Sequence, residues 1–185
     1  VFKSGFIAIL GRPNVGKSTF FNTVIGDKIS IVADKPQTTR NRISGIKNYP
    51  DAQLIFLDTP GMHQPKTPLN RAMVQAARDT IGDADVLLLM VEADTLIGPH
   101  ELFVIKALDT IKTPVFLAIN KIDRVEKTSL LPLIAQYSKL YDFKGIYPIC
   151  ALKDLGVEAL IKDLREALPE GPQLFPNDIN TEATE

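Results

Sequence analysis

Between the apolar run Phe6-Ile7-Ala8-Ile9-Leu10 and a helix-forming stretch at 19–25 stands Gly11-Arg12-Pro13-Asn14-Val15-Gly16-Lys17-Ser18, a match to G-x-x-x-x-G-K-[ST]. The order strand, glycine-bearing loop, helix places the chain among α/β folds with a mostly parallel sheet, where a helix N-terminus closely follows a doubly buried strand. Each residue type has a physical reason. Gly11 and Gly16 are expected to take positive φ and let the backbone approach a ligand, so that consecutive N–H groups form a nest for phosphate oxygens. The helix start adds unsatisfied N–H groups and the positive end of its dipole. Lys17 reaches the β and γ phosphates, the Ser18 hydroxyl is placed to ligate Mg²⁺, and Thr19 addresses the α-phosphate side. The chain is therefore expected to bind a nucleotide.

Two further apolar runs deliver polar groups to the same sheet edge. Residues 54–57 lead into Asp58-Thr59-Pro60-Gly61, and residues 115–119 lead into Asn120-Lys121-Ile122-Asp123. Asp58 is expected to contact Mg²⁺, and Gly61 to present its N–H to a γ-phosphate with no Cβ in the way. A carboxylate only accepts, so Asp123 suits the two N–H donors on one edge of guanine, with the Asn120 amide meeting the carbonyl and ring-nitrogen region. Adenine offers the wrong pattern, which points to GTP and GDP. Strands are expected near 43–47, 53–57, 86–92, 115–119 and 146–149, with helices near 69–81, 101–108, 129–141 and 156–168. Together these predict a three-layer α/β/α domain with a mostly parallel six-stranded sheet and one antiparallel edge strand.

In order, Gly-x-Pro-Asn-x-Gly-Lys-Ser, Gln37-Thr38-Thr39-Arg40, Asp-Thr-Pro-Gly, Asn-Lys-Ile-Asp and Cys150-Ala151-Leu152-Lys153 resemble the Era family of bacterial ribosome-associated GTPases. The resemblance runs from about Gly5 to the chain end. It includes Gly61-Met62-His63, Asn70-Arg71-Ala72-Met73 and the exit Leu168-Pro169-Glu170-Gly171-Pro172. It implies a GTP-hydrolysing switch acting in 16S rRNA processing and 30S subunit assembly. In the family pattern a threonine of the 31–42 loop joins the Mg²⁺ shell in the GTP state. Thr39 is the first choice and Thr38 the second, so Lys17, Thr39 and Gly61 form the expected catalytic set and Ser18, Thr39 and Asp58 the metal set. Cys150, Ala151 and Leu152 would support the base, with an Ala151 or Leu152 N–H on the guanine carbonyl. Asn14 in certain relatives helps hold K⁺ against the phosphates; an asparagine stabilising its own loop is the other reading. Met62 departs from the Ras-like glutamine that orients the attacking water, and a thioether cannot do that work. Slow intrinsic turnover is expected. A non-hydrolysing GTP-binding module, or the GTPase domain of a tRNA-modifying or tandem-domain relative, are the alternatives.

At 185 residues, with 45% hydrophobic and 23% charged residues, the chain suits one globular domain. Residues 1–168 read as that domain and 169–185 as a linker, which in the family leads to an RNA-binding KH domain. A net charge of −1 offers no global attraction to RNA, so rRNA binding by this stretch alone is expected to be weak. The single cysteine, Cys150, excludes an internal disulfide and suits a cytoplasmic protein. No apolar run is long enough to span a bilayer, while peripheral contact with the inner membrane stays open. A monomer is expected.

Overall fold

The computed structural model describes residues 1–26, 42–58, 79 and 81–176, with the backbone alone at Arg42 and Asp58. The expected switch loop with Thr38 and Thr39, the turn from Thr59 through Pro60 and Gly61 to Met62, and nearly all of the helix expected at 69–81 lie outside the described residues. The elements are β1 (Lys3–Leu10), α1 (Lys17–Ile25), β2 (Arg42–Tyr49), β3 (Ala52–Asp58), β4 (Val86–Glu92), α2 (Pro99–Leu108), β5 (Val115–Asn120), α3 (Lys127–Leu140), β6 (Gly145–Pro148) and α4 (Val157–Ala167). They build one six-stranded sheet in the order β2-β3-β1-β4-β5-β6. β2 runs antiparallel to β3 at one edge, and every other pairing is parallel.

The period of two along each strand divides the core into two layers. Ala8, Leu10, Leu87, Leu89, Leu117 and Ile119 face one side, where Val104, Ile105 and Leu108 of α2 and Tyr137 of α3 cover them. Ile7, Ile9, Leu88, Met90 and Ala118 face the other, beneath Phe20 and Val24 of α1 and Leu160, Ile161 and Leu164 of α4. With both faces covered, the central strands read as unbroken apolar runs. In α4 the buried residues Val157, Leu160, Ile161 and Leu164 follow the helical i, i+3, i+4, i+7 spacing.

Helix starts differ from the sequence expectation by local chemistry. α2 begins at Pro99, two residues early, because proline suits the first helical position and the Glu101 carboxylate accepts the Gly98 N–H at 3.0 Å. α1 begins at Lys17 because Gly16, at φ 106°, turns the chain directly into the helix. Lys17 and Ser18 thus occupy its first turn.

Residues 169–175 lie along the sheet end opposite the phosphate loop. Ser4 N–H donates to the Pro169 carbonyl, and Gly171 N–H to the Phe2 carbonyl. Gln53, wholly buried in β3, accepts the N–H groups of Leu174 and Phe175 at 3.0 Å each. Its amide nitrogen donates to the Phe175 carbonyl and to Asn48 Oδ1, both at 2.8 Å. Every lone pair and proton direction used there offsets the cost of burying an amide.

Candidate nucleotide-binding site

The carboxyl ends of β1, β3, β5 and β6 converge on one edge. Asp58 ends β3 in register with Ile9, two residues before Gly11. Asn120 ends β5, and Cys150, Ala151 and Leu152 follow β6. The loop from Gly11 to Ser18, the Asn120–Asp123 turn and the loop after β6 thereby come together as expected. Thr39, Thr59, Pro60 and Gly61 lie outside the described residues.

Asn120 holds two of these loops to each other. Its side chain is buried; Nδ2 donates to the Val15 carbonyl at 2.9 Å, and Oδ1 accepts the Ala151 N–H at 3.0 Å. This amide, expected at the base, forms a brace between phosphate loop and base loop. Burial explains it: both groups need partners inside the protein, and residues 15 and 151 supply them. Of the two amides expected on the guanine carbonyl, that of Ala151 donates to Asn120 Oδ1. The Thr23 hydroxyl of α1 donates to the Ala151 carbonyl at 2.8 Å and steadies the same loop. Cys150 is buried and exchanges backbone hydrogen bonds with Leu155, closing that loop at its base.

The two loop glycines are needed for different reasons. Gly16 has φ 106°, and a Cβ there would stand 2.2 Å from Asn120 Nδ2. Gly11 is not among the described glycines with positive φ, which corrects the expectation for it. Its missing Cβ instead lets the loop pack on β4, since that atom would meet the Met90 carbonyl at 2.7 Å. Asn14, at φ 69°, takes the left-handed conformation that asparagine tolerates better than most residues.

Several cations of the described residues stand on the loops. Lys17 Nζ donates to the Gly11 carbonyl at 3.1 Å, across the mouth of the phosphate loop. Lys121, itself at φ 65°, donates to the Asn14 carbonyl at 2.6 Å and lies 3.4 Å from the Glu92 carboxylate at the end of β4. Arg12 Nε lies 3.2 Å from Glu101 Oε1, although it is buried without the alignment of a hydrogen bond. That contact is charge pairing. Lys153 Nζ stands 3.9 Å from Asp123 Oδ2, beside the carboxylate expected to read the base. Pro13 and Asn14 are exposed at the loop rim, Val15 is buried beneath it, and Ser18 is exposed with Thr19 half-buried in the first turn of α1. Glu92, Glu101, Thr23 and Lys153 carry no assignment from sequence. Glu92 could have been noticed as a carboxylate closing an apolar strand, and Glu101 as a helix-capping glutamate three residues after Gly98.

A strand–loop–helix phosphate cradle tied to an Asn-Lys-x-Asp turn defines the site of a phosphate-loop GTPase, and residues 6–121 match the family described as 50S ribosome-binding GTPase. The chain belongs to that family. Over its whole length it is similar to GTPase Era, with 50% identity over 184 residues to that of Ruminiclostridium cellulolyticum and 51% over 185 residues to that of Syntrophus aciditrophicus. It spans 62% and 60% of those relatives' own lengths. Among solved structures it is similar to Era in complex with MgGDPNP and a segment of 16S ribosomal RNA, with a TM-score of 0.80 and 41% identity, covering 96% of this chain and 61% of that one.

Proposed function

We propose that this chain is the guanine-nucleotide-binding and GTP-hydrolysing unit of an Era-type switch, which in the whole protein acts in 16S rRNA processing and 30S subunit assembly. The observation that carries it is the Asn120 brace: the loop suited to phosphates and the loop suited to a base are locked at one spacing by a single buried amide. A nucleotide bridging them then meets a preorganised site. The Asp123 carboxylate takes the N–H edge of guanine, and the Leu152 N–H takes its carbonyl.

The Lys17 ammonium is already at the loop mouth and would exchange a neutral carbonyl for phosphate oxygens, a stronger, charge-assisted contact. Ser18 and Asp58 supply the hydroxyl and carboxylate oxygens that a hard cation prefers, so with Thr39 they would hold Mg²⁺, which neutralises charge on the β and γ phosphates. Positioning and charge neutralisation supply the catalysis, with the Gly61 N–H facing the γ-phosphate. The left-handed backbone suits an asparagine at position 14, and a K⁺ role for Asn14 is a separate proposal. The RNA contact belongs to the whole protein. Among the described residues no helix is long and apolar enough to cross a membrane; a cytoplasmic monomer, with peripheral membrane contact as the other possibility, completes the proposal.

Phosphate release under multiple turnover tests it. With Mg²⁺ and GTP the chain should turn over slowly, on the order of 10⁻³ s⁻¹ or below, the range of a switch GTPase without its activator. Lys17→Ala should reduce this to background. Stimulation in K⁺ over Na⁺ would assign Asn14 its cation role, and equal rates would remove it. Tight GTP binding with no Lys17-dependent turnover would favour the non-hydrolysing module.

A further inference from the structure

Arg12 is a cation inside the phosphate loop whose charge is engaged by the start of α2. Its guanidinium runs beside Gly98, where a Cβ would come within 3.9 Å of Nη2, and its Nε lies 3.2 Å from Glu101 Oε1. Glu101 is 6% exposed, and its other oxygen is held by the Gly98 N–H at 3.0 Å. The carboxylate is therefore fixed by the start of α2 before it meets Arg12. A buried carboxylate is stabilised by a partner charge, and a guanidinium loses freedom when it finds one. The buried Tyr137 phenol, pushed up by burial and by the Glu101 charge, lies near enough to feel this pair.

The other ties on the loop are made by Lys121 at Asn14 and by Asn120 at Val15. Both hold its middle, at the fourth and fifth of its eight residues. The Arg12 contact ties the residue after Gly11 to the start of α2, a third element beside those that hold Asn14 and Val15. We infer that Glu101 is a positioning residue for nucleotide binding: by holding Arg12 against the start of α2, it sets the shape of the first half of the phosphate loop. It touches no substrate. The inference rests on the guanine-nucleotide reading of the site.

A titration of the full chain with N-methylanthraniloyl-GDP tests it, comparing wild type, Glu101→Gln, Arg12→Gln and the double variant at a temperature where circular dichroism shows each folded. Glu101→Gln should raise Kd about ten-fold, and should add little when Arg12→Gln is already present, because the two act as one unit. The KM for GTP should rise with Kd while kcat changes much less, the mark of binding lost equally from ground and transition states. An unchanged Kd with only a lower Tm would overturn the inference, as would an effect of Glu101→Gln that persists without Arg12. Should Glu101→Gln not fold, Arg12→Lys carries the test, since lysine keeps the charge but loses the planar fork; its Kd should rise, and an unchanged value would overturn the inference. Failure of the wild type to bind the GDP probe would instead overturn the guanine reading.

Discussion

Gly16→Ala should lower GDP affinity by roughly 10² to 10³ while leaving a folded sheet. Two costs combine. The backbone at φ 106° must accept a side chain in a left-handed conformation, at about 1–2 kcal/mol. The new methyl would also stand 2.2 Å from Asn120 Nδ2, so the Asn120 amide or the loop must move. Either motion breaks the bond to the Val15 carbonyl and leaves a buried group unpaired, at about 1–3 kcal/mol. A factor of ten in affinity corresponds to about 1.4 kcal/mol, which converts the sum into the expected loss. Calorimetric titration with GDP checks it, and an affinity within a few fold of wild type would mean that the brace does not set the loop spacing.

Asn120→Ala attacks the same brace from the other side. It removes the donor to Val15 and the acceptor for Ala151 together, and it leaves a buried carbonyl and a buried N–H without their partner. Two such groups at about 1–3 kcal/mol each predict a loss of about 2–6 kcal/mol, shared between stability and nucleotide affinity. Urea unfolding with and without GDP separates the shares. The expected outcome is a lower midpoint without nucleotide and a still smaller stabilisation on adding GDP than wild type shows. A variant that unfolds like wild type yet binds GDP weakly would return Asn120 to a purely base-contacting role.

What could be read in advance follows from the range of the interactions. β1, β4 and β5 were legible because strands buried on both faces carry unbroken apolar runs, and α4 because its buried residues keep a helical period. The motif residues were legible as a set because local spacing specifies loop chemistry. The partner of each side chain was not. Asn120 could be seen as an amide at a strand end, but whether it faces a base or a carbonyl depends on Val15 and Ala151, 105 and 31 residues away. Gly11 shows the same gap: its glycine is required by the Met90 carbonyl of another strand and not by its own φ.

Polar residues at long range were the least legible. Gln53 is a polar residue at the head of an apolar run, and it is wholly buried because the backbone of residues 174 and 175 satisfies it. That attachment has no periodicity to betray it, being made by main-chain groups of a polar segment. Glu101 is similar. Nothing local distinguishes a capping glutamate exposed to water from one that also faces a cation of the phosphate loop.

The account stands on a site that selects a guanine nucleotide, and direct competition for this chain between GDP and ADP tests that most directly. Displacement of a fluorescent GDP should require about 10⁴-fold more ADP than GDP, because the Asp123 carboxylate and the Leu152 N–H would be left unpaired against adenine. Comparable displacement by the two nucleotides would contradict the assignment of the base loops, whatever the phosphate loop binds.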